Sequence, residues 1–431
     1  MTDISTGPRS EPRPDPTPEE QRAALLRLGL IVVAGVVAAI VTDTASTVAV
    51  VAAIIVMIML HELGHFLTAK WAGMKVTEYF LGFGPRLWSI RRGETEYGVK
   101  AIPAGGYVKI VGMSNLEKVD PADEERTYRQ KSYGRRLSVA VAGSAVHFIL
   151  AFLLLVTLFA VVGVPTAERE FTIGQISRLK SGPSPAEEAG LRVGDTVMAV
   201  DGRPLAWDEV PAYIRSRPGR PVVFDVERDG RRLQLTATPV DLSTIEVDGA
   251  PVVENAEGPV GFVGIGNPIF PIERSDPIAA VGRSATGLGR VTVDTLKALG
   301  GIFSPGGASA YGRQLVGGTD GENGENRFLS PVGFVRVASQ AADTGWREVL
   351  ALLLNINVFV GVFNMIPLLP LDGGHVAIAT YERIRSRRGR RYHADVAKAM
   401  PIYYMVFLML VFLGVSSLYL DIVRPIANPF Q

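Results

Sequence analysis

The chain has 431 residues, 47% of them hydrophobic, and its 44 lysines and arginines almost balance its 43 aspartates and glutamates. It is too apolar for an ordinary soluble protein and too charged to lie wholly within a bilayer, so a mixed membrane and soluble architecture is expected. The balanced charge argues against a nucleic-acid-binding protein of the basic-patch type. The lack of cysteine excludes disulfides and cysteine-ligated zinc.

Five apolar runs, taken in chain order, predict five membrane-spanning helices. Residues 1–22, rich in proline, threonine and charge, predict a disordered cytoplasmic tail ahead of them. The first run is expected to be an uncleaved anchor, because no convincing small-residue cleavage site follows it. The runs are residues 23–41, residues 47–60 with the motif that follows them, and residues 137–164, 349–369 and 403–420.

The basic residues predict how these helices are oriented. They are concentrated between the second and third runs, from Lys70 to Arg136, and between the fourth and fifth, from Arg383 to Arg391. By the positive-inside rule both loops are cytoplasmic, so the N-terminus lies inside and the loop of residues 165–347 lies outside. The expected location is the plasma or inner membrane, crossed several times.

The second run closes on His61-Glu62-Leu63-Gly64-His65, an HExxH motif. Residues four apart share one face of a helix, so His61 and His65 can reach the same metal ion, with Glu62 beside them to deprotonate a water molecule. Ionisable side chains at the edge of a bilayer-length apolar segment need a partner, water or a metal. The motif therefore predicts a zinc hydrolase that works at membrane depth.

A third ligand is expected elsewhere, because a hydrolytic zinc site has three protein ligands and leaves the fourth position to water. Asp372 is the strongest candidate, in the stretch from Asn364 to His375 that follows the fourth run. The prolines of this stretch would interrupt a membrane helix, and its paired glycines would let backbones approach closely, which could turn the carboxylate inward. Two imidazoles and a carboxylate suit Zn²⁺.

Together these motifs resemble the bacterial site-2 protease family of intramembrane zinc metalloproteases. The resemblance is carried by the HExxH motif, by Asn364, Pro367 and Leu371-Asp372-Gly373-Gly374, and by residues 79–85, 102–109 and 331–334. It implies that the segment after the first catalytic helix forms a membrane-associated β-hairpin that contacts substrate. It also implies that residues 23–41 form an extra helix ahead of the usual family core.

Residues 184–202 resemble the PDZ domains of bacterial proteases. Such domains capture an extended peptide by adding it to a sheet edge, and the alternative is a spacer that binds no peptide. The expected fold is a membrane α-helical bundle with the β-hairpin and an inserted extracytoplasmic PDZ domain of α+β type. Beyond the tail and the extra helix, the expected domains are a catalytic membrane core at residues 47–164 and 347–424, the PDZ domain at 170–240, and a linker with an amphipathic segment at 241–346.

Substrate binding is expected on two segments of the core. The strand of Gly105, Gly106 and Tyr107 could hold an unwound substrate segment by main-chain pairing, because a transmembrane helix hides its carbonyls until it unwinds. Asn364 could bind substrate backbone or the developing oxyanion, or it could be a structural amide of the broken helix. Glu62 would pass the water proton to the leaving amine.

Three further histidines have weaker signals. His147 and the neighbouring Ser144 depart from the family pattern, which commonly has a Gly-Pro pair and an asparagine there. His147 could donate a hydrogen bond near the metal or stabilise the oxyanion, or it could simply pack between helices. His375 could orient Asp372, whereas His393 lies among arginines and is most simply solvated.

The predicted function is an intramembrane zinc metalloendopeptidase that cuts transmembrane segments of single-pass proteins in regulated intramembrane proteolysis. By resemblance, its substrates would be anti-sigma factors or signal-peptide remnants already cleaved outside the membrane. A catalytically silent PDZ-bearing membrane scaffold is the alternative, although the presence of Glu62 with all three ligands argues against it. A metal transporter is the weakest choice.

Overall fold

The computed structural model of the protein describes residues 17–113, 117–165, 170–242, 259–316, 328–386 and 392–426. The chain forms two compact units. The inserted unit is Phe159–Pro277, and the membrane unit comprises the described residues before and after it. Most of the predicted tail, residues 317–326 of the loop expected outside and the arginine-rich residues 387–391 lie outside the described residues.

The membrane unit is built mainly of helices. They are α1 (Pro18–Val41), α2 (Ala45–Trp71), α3 (Tyr133–Thr157), α6 (Pro277–Ile302), α7 (Pro305–Val316), α8 (Pro331–Thr344), α9 (Trp346–Asn364), α10 (Asp372–Arg385) and α11 (Met400–Val423). Within the described residues, five helical segments are long and apolar enough to cross a membrane, which confirms the predicted number. These segments are Glu19–Val41, Ala45–Trp71, Tyr133–Val162, Trp346–Asn364 and Val396–Val423.

Helix α1 begins at Pro18, so the prediction of a disordered tail up to residue 22 is wrong at its end. The side chain of Thr17 accepts a hydrogen bond from the Glu20 N–H, and the Glu20 carboxylate accepts one from the Thr17 N–H at 2.8 Å. This reciprocal capping, together with a proline in the first helical position, starts a helix. The charged and proline-rich composition of the segment concealed that local signal.

Two long strands follow α2 and pair as a hairpin, β1 (Val76–Arg92) with β2 (Thr95–Ile110). Tyr79 donates a hydrogen bond from its hydroxyl to the Met59 carbonyl of α2 at 2.8 Å. At the hairpin turn, Glu94 accepts hydrogen bonds from Arg126 at 2.7 and 2.8 Å and from Lys70, at the end of α2, at 2.6 Å. These cationic donors lower the pKa of Glu94 to about 2, so the carboxylate stays charged and the sheet stays tied to α2.

The inserted unit is an α+β structure with its own apolar core. Its elements are β3 (Val164–Pro165), β4 (Phe171–Thr172), β5 (Gln175–Ile176), α4 (Pro185–Glu188), β6 (Thr196–Val200), α5 (Glu209–Arg215), β7 (Val222–Arg228), β8 (Arg231–Ala237), β9 (Val240–Asp241), β10 (Gly261–Phe262), β11 (Ile265–Gly266) and β12 (Ile272–Glu273). One sheet has the strand order β4-β6-β7-β8, and the remaining strands form pairs. Alternate residues of β7, namely Val222, Phe224 and Val226, are buried against α5, which gives the period-two burial of a sheet with one covered face.

The last helix is joined to α8 through a buried carboxylate. Asp421, 1% exposed on α11, accepts a hydrogen bond from the Ser330 N–H at 2.7 Å, at the N-terminus of α8. A negative group is favourable there, because the first N–H groups of a helix have no internal acceptor. Gly333 provides the space, since a Cβ atom at this residue would lie 2.1 Å from Asp421 Oδ2. The Pro331-Val332-Gly333-Phe334 segment thus has a local packing role.

We expect Gly333→Ala to destabilise the protein by about 1–3 kcal/mol, because the added methyl group would displace the Asp421 carboxylate. Gly300→Ala in α6 is the matched control, since a Cβ atom there meets nothing within 4 Å. The measurement is the thermal unfolding midpoint of the full chain in detergent, followed by circular dichroism. Equal midpoints for the two variants would contradict the packing role.

Candidate metal centre

The HExxH motif lies on the second half of α2, where His61 and His65 lie about one turn apart on the same helix face. Both imidazoles are buried, with exposed fractions of 7% and 4%, and their Nε2 atoms are 3.2 Å apart. Two neutral nitrogens at this distance can share one cation between them.

Asp372, the first residue of α10, completes the group, although it lies far from the two histidines along the chain. Its Oδ2 atom lies 3.4 Å from His61 Nε2 and 3.2 Å from His65 Nε2. Tetrahedral ligands about 2.0–2.1 Å from one zinc ion would be roughly 3.3 Å apart, so these separations fit that ion. Oδ2 is also buried and has no hydrogen-bond partner of good geometry among the described residues, as expected of an atom whose partner is a metal. Within the described part of the chain, these three side chains form a group that could hold a metal ion.

The ring of His65 is oriented by the neighbouring helix. Its Nδ1 lies 2.7 Å from the Val139 carbonyl of α3, to which an Nδ1–H can donate. That hydrogen bond fixes the tautomer and leaves Nε2 free to face Asp372.

Two glycines let α2 and α3 approach closely enough for this contact. A Cβ atom at Gly64 would lie 2.9 Å from the Ala142 carbonyl oxygen, and one at Gly143 would lie 2.3 Å from His61 Cε1 and 2.4 Å from His65 Nε2. The ring pair therefore lies directly over the bare backbone of α3. Gly143 matches none of the predicted site motifs, and only its place in a run of small residues could have indicated this role.

The paired glycines of the late motif act as predicted. A Cβ atom at Gly373 would meet the Ile366 and Met365 carbonyl oxygens at 2.3 Å, and one at Gly374 would meet the Leu369 nitrogen at 2.6 Å. The irregular turn between α9 and α10 therefore folds back against the start of α10. This close approach presents Asp372 at a helix N-terminus, where a carboxylate is favoured.

Glu62 lies on the side of α2 that faces β2. A Cβ atom at Gly106 would lie 3.1 Å from Glu62 Cγ and 3.0 Å from Met59 Sδ, so this strand passes the motif with no side chain between them. Gly105 has a φ of 145°, which a residue with a side chain rarely adopts. Both glycines thus shape the strand beside Glu62.

Tyr107 has its polar group satisfied within the hairpin. Its hydroxyl donates a hydrogen bond to Glu78 and accepts one from Lys100 Nζ at 2.7 Å, and its ring stacks on those of Phe80 and Phe83. Its backbone, but not its hydroxyl, therefore remains as a candidate contact for substrate.

His147 belongs to the same buried cluster. Its ring lies 5.0 Å from that of His61, and its Nδ1 lies 2.8 Å from Oδ1 of Asn357 on α9. Asn357 is fully buried and donates from Nδ2 to the Leu353 carbonyl at 2.8 Å, which fixes the amide orientation. Sequence reasoning missed Asn357, because an isolated asparagine in an apolar helix matches no motif.

The other candidates lie around this cluster. Asn364 is half-buried at the end of α9, just before the irregular turn. His375 packs against Tyr128 with ring centroids 6.3 Å apart. His393 is exposed, as the sequence suggested.

Together, the apolar helices and the buried group of two imidazoles and a carboxylate define a membrane protein with a metal-binding centre. The model of Peptidase family M50 matches residues 49–412. Zinc metalloprotease Rip1 of Mycobacterium tuberculosis (strain ATCC 25618 / H37Rv) is 33% identical over 396 residues, covering 86% of this chain and 95% of that protein. Putative zinc metalloprotease R01501 of Rhizobium meliloti (strain 1021) is 29% identical over 368 residues, covering 83% of this chain and 91% of that protein.

The chain belongs to Peptidase family M50, the site-2 protease family. It is a membrane zinc metalloprotease, as the sequence motifs predicted.

We expect Gly143→Ala to lose most of its bound zinc, because the methyl group would overlap His61 and His65. Gly134→Ala on the same helix is the control, since a Cβ atom there meets nothing within 4 Å. Zinc per chain is measured by elemental mass spectrometry on purified protein. Full zinc content in Gly143→Ala would mean that the two helices can separate at no cost to the site.

Proposed function

We propose that this zinc metalloprotease is an endopeptidase that cuts transmembrane segments of single-pass membrane proteins. The observation that carries the proposal is the group of three donor atoms, 3.2–3.4 Å apart, contributed by a membrane-spanning helix and by α10 beside Glu62. Its expected role is regulated intramembrane proteolysis, on anti-sigma factors or signal-peptide remnants shortened beforehand outside the membrane.

In the proposed mechanism His61, His65 and Asp372 hold the zinc ion. Bound there, Zn²⁺ would supply a Lewis acid that polarises the scissile carbonyl and makes water more acidic. Glu62 accepts the proton of the attacking water and delivers it to the leaving amine. The near-complete burial of the two imidazoles keeps competing water away from the reacting atoms.

The substrate is proposed to bind along β2 as an added strand. Residues 102–110 pair with Val76–Phe83 on one edge, and no described strand pairs with their other edge. An unpaired edge offers N–H and C=O groups to an extended chain, which is what an unwound transmembrane segment presents. Gly105 and Gly106 would let that segment lie close to Glu62, and Asn364 would hold its backbone from the α9 side.

His147 is proposed to act as a hydrogen-bond acceptor in this reaction. Because the Asn357 amide donates from Nδ2 to Leu353, its Oδ1 must accept, and His147 therefore carries its proton on Nδ1. A neutral imidazole of that tautomer offers a lone pair at Nε2. It can accept from the substrate N–H or from the attacking water, and this argues against the expected donation to an oxyanion.

The inserted unit is proposed to be the PDZ domain expected from the sequence, acting as a filter for shortened substrates. A groove of 230 Å³ runs between α5 and β10–β11, with Trp207 and Ile214 on the helix side and Phe262 and Ile265 on the strand side. An extended peptide of apolar side chains could lie in it as an added strand. The proposed topology, from the basic loops, has the N-terminus in the cytoplasm and this unit outside the cell membrane.

We expect Glu62→Gln to keep its zinc and to cleave a model single-pass substrate at least about 100-fold more slowly, because the amide cannot accept the water proton. Glu19→Gln, at an exposed residue of α1, is the control. Rates and zinc content are measured on purified full-length protein in detergent. Undiminished cleavage by a zinc-loaded Glu62→Gln protein would remove Glu62 as the general base and favour another mechanism.

We expect Asn357→Leu to lower kcat about tenfold while zinc content and KM change little, because His147 would lose the acceptor that sets its tautomer. Asn355→Leu is a matched control on the same helix, since exposed Asn355 also donates to the carbonyl four residues earlier.

The double variant Asn357→Leu with His147→Leu tests whether the two residues act as a unit. If they do, we expect the kcat of the double variant to be no lower than that of His147→Leu alone. If the reduction of kcat in the double variant instead equals the product of the reductions in the two single variants, Asn357 acts independently of His147, for instance through helix packing.

A further inference from the structure

Two adjoining cavities in the membrane unit lie outside the metal centre. The first has a volume of 570 Å³ and the second of 210 Å³, and Arg136 lines both. The described residues that line them include none of the proposed zinc ligands and not Glu62. The first volume lies within the range of about 300–1,000 Å³ typical of ligand sites.

The larger cavity is mostly apolar and runs along the start of α11. Its walls include Ala399, Tyr403 and Phe407 on one side and Ile378 of α10 on the other. The nine residues from Ala399 to Phe407 rise about 12 Å, from the end of a membrane span towards its interior. Tyrosine is enriched where helices cross the membrane surface, so the cavity begins at headgroup level and continues to acyl-chain level.

The smaller cavity is basic. Its charged walls are Arg129, Lys131, Arg136 and Arg383 against Glu382. Within the described residues, Lys131 Nζ donates only to the Glu125 carbonyl, and neither Lys131 nor Arg383 forms an ion pair with a carboxylate. This wall has a surplus of positive charge and favours an anion.

Arg136 stands between the two cavities and is 8% exposed. One guanidinium nitrogen donates to Glu382 at 2.5 Å, and the guanidinium lies 5.1 Å from the Tyr128 ring centre. Its Nε–H is buried and has no acceptor among the described residues. A buried guanidinium donor without an acceptor is costly, so an oxygen atom from a ligand would satisfy it.

We propose that the paired cavities bind one anionic phospholipid from the adjoining leaflet. The order of chemistry along the site matches that of the lipid: the phosphate meets Lys131 and Arg383, a glycerol ester oxygen meets Arg136, and one acyl chain fills the apolar cavity. A substrate segment is a poorer match, because an apolar transmembrane peptide brings no anion to the basic wall. Binding would anchor α3, α10 and α11 at the membrane surface.

The test is native mass spectrometry of the full-length protein, titrated in detergent with phosphatidylglycerol or phosphatidylcholine carrying the same oleoyl chains. We expect one phosphatidylglycerol to be retained at least about tenfold more tightly than phosphatidylcholine. The double variant Lys131→Ala with Arg383→Ala should lose this preference. Arg92→Ala, at an exposed arginine of the hairpin outside both cavities, should keep it.

Binding of the acyl chain is tested with a phosphatidylglycerol that carries a photoreactive chain, and with the variant Ala399→Trp, whose larger side chain would occupy the apolar cavity. Crosslinks in the native protein should map to the first turns of α11, and Ala399→Trp should abolish them. Equal retention of both lipids, retention unchanged in the double variant, or displacement by inorganic phosphate alone would overturn the proposal. Labelling of the same wall by a photoreactive substrate peptide that expels the lipid would assign the cavities to the substrate path instead.

Discussion

The placing of three ionisable side chains in an apolar helical bundle is the constraint on which the rest of the membrane unit depends. An unpaired imidazole or carboxylate in such a setting is expensive, so the bundle must bring His61, His65 and Asp372 together within hydrogen-bond distances. Glycines at the contact positions make this possible. Gly143 lets two rings lie over a bare helix backbone, and Gly373 and Gly374 let an irregular turn fold against α10. The site is therefore made by backbone approach as much as by its ligands.

A second layer of hydrogen bonds gives each ring its orientation. The Val139 carbonyl determines which nitrogen of His65 is protonated, and Asn357 does the same for His147. Each partner comes from a different helix from the ring that it orients. Helices α2, α3 and α9 must therefore be correctly packed before each ring carries its proton on the nitrogen described, which couples folding of the bundle to the proposed chemistry.

The sequence predicted the parts of this arrangement that are local. The HExxH spacing, the five apolar runs and the glycine pair after Asp372 each show within one short segment, and the family follows from them. What could not be predicted depends on contacts distant along the chain: Asn357 meets His147 across 210 residues, and Gly143 matters only because α3 lies against α2. The early start of α1 is an exception, because its capping residues are local and yet the charged, proline-rich composition favoured a disordered tail there.

Helix α10 is fixed near both ends by charge. Asp372 meets two imidazoles at its first residue, and Glu382, 3% exposed, meets Arg136 of α3 at 2.5 Å. The ten residue steps from Asp372 to Glu382 span about 15 Å of stiff helix, so the helix cannot turn about its axis without breaking one of the two contacts. The angle at which the carboxylate faces the two imidazoles is thus partly decided by an ion pair nearly three turns away. A perturbation confined to that distant pair would alter the arrangement of the three donor atoms while leaving every proposed ligand in the chain.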